Sequence, residues 1–369
     1  GPDSTRIDCG GPHRAVICRS GEGSETLIRG LSFGGSTVAD TGGSVYIAGS
    51  SPVFDSCWFT HDTTTLGAGV FVRNGAPTFR NCRFLEQRSR GDSDRIAAGL
   101  TSYNSSVVLT GCEFSHCYGQ IAPIGAYGGS IQLRSCVVQS NHGWRTGALD
   151  GRDLDSCVID SCYFFLNYND NDVRGGVLNI DSSNLRLSNS RFDSCGSWYC
   201  ALIRGHESTI SILGCSFRDK MPSSCDVLEV SGSTVDIEGC EFANNDLCRP
   251  SVISASGSTL SVLGSTFACN STWSGQLHLT NTAAAIANTI IAYGQDNGVA
   301  VYVDSGEIPT MTCTDIFGNS GGDWVGGIAG LNTAGGNLSL NPLFCDTAGG
   351  DFHIDSLSPC ALGNNACAA

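Results

Sequence analysis

The stretch STVDIEGCEFANN (residues 233–245) has a near twin 25 residues upstream, STISILGCSFRDK (208–220), and a third copy, STLSVLGSTFACN, at 258–270. With Cys240 as reference, the same slot recurs at Cys57, Cys82, Cys112, Cys136, Cys162, Ser190, Cys215, Ser265, Thr289 and Cys313, at intervals of 24 to 30 residues. Two residues after the slot comes Phe59, Phe84, Phe114, Val138, Phe164, Phe192, Phe217, Phe242, Phe267 or Ile291. Five residues after it, small or polar residues return, among them Asp62, Cys117, Asn141, Asn167, Cys195 and Asn245. A period in this range defines a solenoid or a repeat array.

The content of one period decides which kind. VDIEGC and ISILGC alternate apolar and polar residues before the slot, which is strand periodicity. A second alternation lies upstream, in GSVYIAG (43–49), GVFVRN (69–74) and VLEVSG (227–232), and CEF or CRF follows the slot. Three short strands in about 25 residues leave no room for a helix, so leucine-rich and helical repeats are excluded. The expectation is an all-β, single-domain parallel β-helix of about 11 or more coils with three parallel sheets, each coil about 4.8 Å above the last. Phenylalanine then stacks inside, cysteine serves as a small buried hydrophobe, and side-chain amides five residues later ladder at a tight turn. Most slot thiols read as inert packing, and disulfide candidates lie off the ladder: Cys9 with Cys18, Cys225 with Cys248, and Cys345 with Cys360 or Cys367.

Composition narrows the functional classes. The 369 residues include 48 glycines and 20 cysteines; 35 acidic against 20 basic residues give a formal charge of −15, and Lys220 is the sole lysine. That balance argues against nucleic-acid binding. No apolar run is long enough for a membrane helix. Residues 1–2 read as a tag-cleavage scar, 3–40 as N-terminal coils with a partial cap, 41–319 as regular coils and 320–369 as a closing segment. The cysteine content fits an oxidising, extracellular setting.

Repeats such as GGSVYIAGSSPVFDSCWF and GAGVFVRNGAPTFRNCRF resemble the right-handed parallel β-helix repeat of secreted bacterial proteins. That family is similar in fold to pectate lyases and polygalacturonases, and in repeat style to polymorphic outer-membrane proteins. The tail GNSGGDWVGGIAG…NPLFCDTAGGDFHIDSLSPC resembles the closing segment of such proteins. The resemblance implies a secreted or cell-surface monomer, with a polysaccharide or cell-surface glycan held in a groove on the first sheet. Loops leaving the third strand would wall that groove. The fold carries lyases, hydrolases, adhesins and binding modules alike, so function has to come from side chains.

Positions 11 and 9 before the slot face outward by alternation. The first row reads Tyr46, Phe71, Thr101, Gly125, then Asn179, Arg204, Glu229, Ser254, His278 and Tyr302; the second includes Tyr103, Tyr127, Asp181 and His206. The coil between Gly125 and Asn179 carries one extra residue, and Asp150 and Arg152 read as its outward pair. The charged centre makes Asp150, Asp181, Arg204, His206 and Glu229 the catalytic candidates. Carboxylates one coil apart suit a retaining glycosidase and two coils apart an inverting one, which gives Asp150 with Asp181, or Asp181 with Glu229. Arg204 or His206 could instead abstract a proton beside a uronate carboxylate, as a lyase requires. Arg152, Asn179, Tyr103 and Tyr127 would bind substrate, helped by Trp144, Arg145, Tyr168 and Arg174 from the wall loops. The simpler reading of these rows is a solvated polar ladder with an Arg204–Glu229 ion pair.

The Gly-His-Gly and Arg-Ile-Lys motifs of polygalacturonases are absent; RGHES (204–208) is a partial echo. No cofactor is required. The loop NYNDNDVRGG (167–176) could hold Ca2+ through Asp170 and Asp172, although it lacks the EF-hand spacing and terminal Glu, and such an Asp/Asn loop is more often turn chemistry alone. Two functional classes stand: a polysaccharide lyase or glycoside hydrolase, or a carbohydrate-binding module or surface adhesin without turnover.

Overall fold

The computed structural model describes residues 1–367 except 66, 68, 92–94, 171–174, 198–200, 221–225 and 248–250. The chain is a parallel β-helix of about 12 turns. It divides into two compact units, residues 1–186 with 195–204, and residues 187–194 with 205–369.

One coil of the second unit shows how the sequence makes the turn. Leu228–Ser231, Thr234–Glu238 and Glu241–Ala243 are its three strands. Each lies parallel to the matching strand of the next coil, so that Val230 faces Ala255, Ile237 faces Val262 and Phe242 faces Phe267. Between and after the strands, Gly232, Gly239 and Asn244 adopt φ of 59°, 59° and 54°. Each corner is therefore one residue in the left-handed region, which explains the Gly, Asn or Ser that precedes the slot in most coils.

The slot itself is a hydrogen-bonding position. Cys215 N donates to Cys240 Sγ (3.4 Å), Cys240 N to Ser265 Oγ (3.2 Å) and Ser265 N to Thr289 Oγ1 (3.5 Å). Each of these side chains also donates to a carbonyl two residues back: Cys240 to Glu238 (3.3 Å), Ser265 to Leu263 (3.0 Å), Thr289 to Ala287 (2.8 Å). Cysteine thus shares the slot with serine and threonine because all three can bond the corner, more than a small hydrophobe would do. Ser233 and Asn245 form equivalent ladders at the other two corners: Ser208 N donates to Ser233 Oγ (3.1 Å) and Lys220 N to Asn245 Oδ1 (3.2 Å). Phenylalanines stack between them, with ring centroids 5.1, 4.9 and 4.7 Å apart from Phe192 through Phe217 and Phe242 to Phe267. In the first unit Phe33, Phe59, Phe84 and Phe114 do the same.

The cysteine expectations need three corrections. Cys313 is not a slot residue: it takes the left-handed corner (φ 49°), and Thr314 fills the slot, bonding to the Thr312 carbonyl at 3.1 Å. From that corner Cys313 forms a disulfide with Cys367. Cys9 and Cys18 are buried free thiols, Cys345 is an exposed one and Cys360 is also free, so neither described off-ladder pair forms; Cys225 and Cys248 lie outside the described residues.

Two features of the first unit shape its outer faces. Leu100–Thr110, Ile124–Arg134 and Leu149–Asp160 run unbroken through the first corner. A further short strand also follows the third corner, forming a six-stranded sheet from Thr63–Thr64, Arg88–Ser89, Tyr118–Ile121, His142–Thr146, Tyr168–Asn169 and Gly196–Ser197. The three-strand reading missed this side. In the second unit the closing segment runs back along the third strands: Phe352 packs on Ala243 and Ala268, and Arg218 Nη1 donates to the Gly350 carbonyl at 2.9 Å.

Candidate functional site

Register places the predicted rows correctly, but the central first-sheet positions of the first unit are not open. Asp150 lies beside Gly125 on one coil and Asn179 on the next, while Arg152 lies between Tyr127 and Asp181. Asp150 is fully buried and all its valences are used. Its Oδ2 accepts from Tyr127 Oη (3.0 Å) and pairs with Arg152 Nη2 (3.0 Å); its Oδ1 accepts from Asn179 Nδ2 (2.6 Å) and Arg152 Nε (3.2 Å). Burial pushes the Asp150 carboxyl above its ordinary pKa, against the pull of Arg152, Asn179 and Tyr127. Burial likewise holds the Tyr127 phenol well above its usual range.

Tyr127 reaches Asp150 by lying over Gly125, where an added Cβ would meet its Oη at 2.9 Å. A roof from the same unit then closes the face. Ala97 and Ile121 pack with Tyr127, Tyr103 donates from Oη to the Arg95 carbonyl (2.7 Å), and the Arg95 guanidinium sits 5.6 Å over the Tyr127 ring. Asp150 therefore cannot act as the catalytic carboxylate proposed for it: no substrate atom can reach its oxygens. Asn179, also buried, accepts from Arg204 Nη1 at 3.4 Å and is a link in this network rather than a free binding group. Arg152, Asp181 and Arg204 keep partial exposure.

His206 and Glu229 belong to the second unit. There His206 Nδ1 bonds Ser231 Oγ at 2.9 Å, and Glu229 is exposed in register with Ser254. Lys220 is buried and occupies the corner position that Asn245 fills one coil later.

The open face of the first unit is the six-stranded sheet. Its outward row runs Arg88, Tyr118, His142, Tyr168 in successive register. Tyr118 and Trp144 are each 48% exposed. The His142 ring lies 5.2 Å from Tyr118 and 5.5 Å from Tyr168, and its Nε2 is held by Asp170 Oδ2 at 2.7 Å. Trp144 and Tyr168 were legible as aromatic candidates. Tyr118, His142 and Arg88 were not singled out, although each follows the amide-ladder position by one residue and so shares one row. Arg145 is half-buried, and its carbonyl accepts from Asn169 Nδ2 at 3.2 Å. Asp170 is engaged by His142 rather than free for a cation. Asp172 and Arg174 lie outside the described residues. Among the described residues no group of three or more His, Cys, Asp or Glu is arranged to hold a metal. No helix of the described residues is long and apolar enough to cross a membrane.

Residues 21–172 match the family described as a right-handed β-helix region, and the fold just derived is a right-handed parallel β-helix. No curated protein matches the sequence. Among solved structures, the chain is similar to tailspike protein 3 of bacteriophage CBA120, with 14% identity and a TM-score of 0.42 over 85% of this chain. It spans about half of that protein, 52% of its length. It is also similar to the A-module of the mannuronan C-5 epimerase AlgE6 of Azotobacter vinelandii, with 13% identity and a TM-score of 0.43 over 91% of this chain and 90% of the module. The surface adhesin PfbA of Streptococcus pneumoniae shows 8% identity and a TM-score of 0.30 over 78% of this chain and 76% of the adhesin.

Proposed function

We propose that this protein is an extracellular polysaccharide-binding β-helix whose glycan lies on the six-stranded sheet of the first unit. The observation that supports this most is the aromatic row of exposed Tyr118 and half-buried His142 and Tyr168, with exposed Trp144 beside it. The His142 ring stands at 77° to Tyr118 and at 60° to Tyr168, so the row offers both ring faces and ring edges to a chain that runs along the coils. Aromatic faces are suited to the apolar face of a pyranose, and a pre-formed, rigid strand row loses little freedom on binding. The test is a polysaccharide panel read by calorimetry. Wild type should bind at least one polymer, and Trp144→Ala with Tyr118→Ala should weaken that binding about tenfold or more. Trp273→Ala, at an exposed tryptophan of the second unit, should leave it unchanged. Equal binding by the platform variant would remove this face from consideration.

A second reading keeps turnover on the first sheet, favoured by the partly exposed Arg152, Asp181 and Arg204 around the buried carboxylate. If unsaturated products or new reducing ends form on the panel, Arg204→Ala should abolish them while melting normally. Retained turnover would exclude that face.

A further inference from the structure

At one end of the aromatic row the surface dips into a cleft of about 310 Å³. Tyr118 and Trp144 supply apolar faces, Gln120 an amide, and Arg88 and Arg90 two guanidinium groups. Both arginines are exposed, and neither is ion-paired among the described residues, whereas Arg14, Arg29, Arg83, Arg152 and Arg218 each hold a carboxylate. Their placement follows from the fold. Arg88 and Arg90 are two residues apart on one extended run with buried Ser89 between them, so both side chains leave the same face. Arg88 lies in register with Tyr118, which puts a cation one rung from a stacking ring.

Resting on the polysaccharide reading, we propose that this cleft selects an anionic glycan, one whose rings carry a carboxylate or sulfate. Two planar guanidiniums beside two aromatic faces recognise a charged sugar by its two chemistries at once. The fork geometry of arginine grips a planar or tetrahedral oxyanion, and the rings take the sugar's apolar face. The chain carries a formal charge of −15, so an anionic polymer is repelled by most of the surface. Arg88 and Arg90, side by side next to two rings, give it a place to settle and fix its register on the platform.

The experiment compares matched ligands by calorimetry at 50 and 200 mM salt: oligogalacturonate with its methyl ester, and dextran sulfate with dextran. Wild type should prefer at least one anionic member of a pair, and the preference should shrink at the higher salt. Arg88→Gln with Arg90→Gln should weaken the anionic ligand about fivefold or more and leave its neutral counterpart unchanged. Trp144→Ala should weaken both members of the pair. A carboxylate preference or a sulfate preference identifies which anion the cleft takes. If the arginine variant keeps the full preference, or if wild type binds neutral and anionic members equally, the anionic assignment is wrong while the platform reading stands. If none of the four ligands binds while another polymer of the panel does, the anionic assignment falls and the platform reading stands; if nothing on the panel binds, both fall.

Discussion

Asp62 stands in the corner ladder where Asn141, Asn167, Asn245 and Asn270 stand in other coils. Like them it accepts from the backbone of the preceding coil, Ser36 N at 2.9 Å, and it also takes Ser44 Oγ at 2.7 Å. Unlike them it is ionisable, and burial raises its pKa to about 7 against the hydrogen bonds that favour the anion. The folded pKa lies above the unfolded one, so its contribution to stability is complete below about pH 4 and is lost as pH rises through 7. Asp62→Asn keeps the acceptor and adds the donor the ladder uses elsewhere. The variant should gain up to about 4 kcal/mol over wild type at pH 8 and almost nothing at pH 4, measured by denaturant unfolding at both. An equal gain at the two pH values would show that the carboxyl is not neutral in the fold. Thiol chemistry separates residues in the same way. Burial pushes Cys117 and Cys157 up to about 12, whereas Cys345 is exposed. Peptide mapping after brief native labelling should find Cys345 modified, with Cys117 and Cys157 appearing only after denaturation.

At the scale of the coil, stability rests on corners and close approaches. An added Cβ at Gly239 meets nothing within 4 Å, so Gly239→Ala isolates the cost of a left-handed corner, about 1 kcal/mol, and Gly239→Asn should cost less. Gly125→Ala is a different case. It displaces Tyr127 from Asp150 and leaves a buried carboxylate short of a donor, which should cost about 2–3 kcal/mol in chemical denaturation. The coil was legible because Cys240, Phe242 and Asn245 repeat at fixed offsets, and register alone carried Asp150 opposite Asn179. Exposure was not legible. Alternation says which way Asp150 points, but the roof over it comes from Ala97 and Ile121, whose place no periodicity records. The Cys313 slot failed for a related reason: a cysteine at the expected interval looked like the ladder, while Thr314 beside it met the bonding requirement. Trp144 and Tyr168 were read as wall-loop aromatics because the two- to five-residue strands that carry them are too short to show alternation.

For the molecule as a whole, the second unit adds one covalent tie. The Cys313–Cys367 disulfide spans 54 residues, and in the chain-entropy account a loop of that length stabilises the fold by about 4 kcal/mol. Cys367→Ser should therefore raise hydrogen exchange first in Phe344–Asp346 and Asp351–Ile354, with Thr234–Glu238 and Thr259–Leu263 still protected. Simultaneous loss of protection in both would mean the closing segment and the coils unfold as one cooperative body.

The interval from Cys82 to Cys112 is 30 residues where its predecessor, from Cys57 to Cys82, is 25. Yet Phe84 still faces Phe114, and Thr78 still faces Val108. The surplus falls between the corner at Glu86 and the strand beginning at Leu100, the stretch that supplies the roof. Frame and wall are thus set by different parts of the coil. Five extra residues at that junction leave the register of the ladders unaltered, so the outer wall can change in length without resetting the frame. The same junction is where a foreign loop could be grafted without resetting the coils on either side.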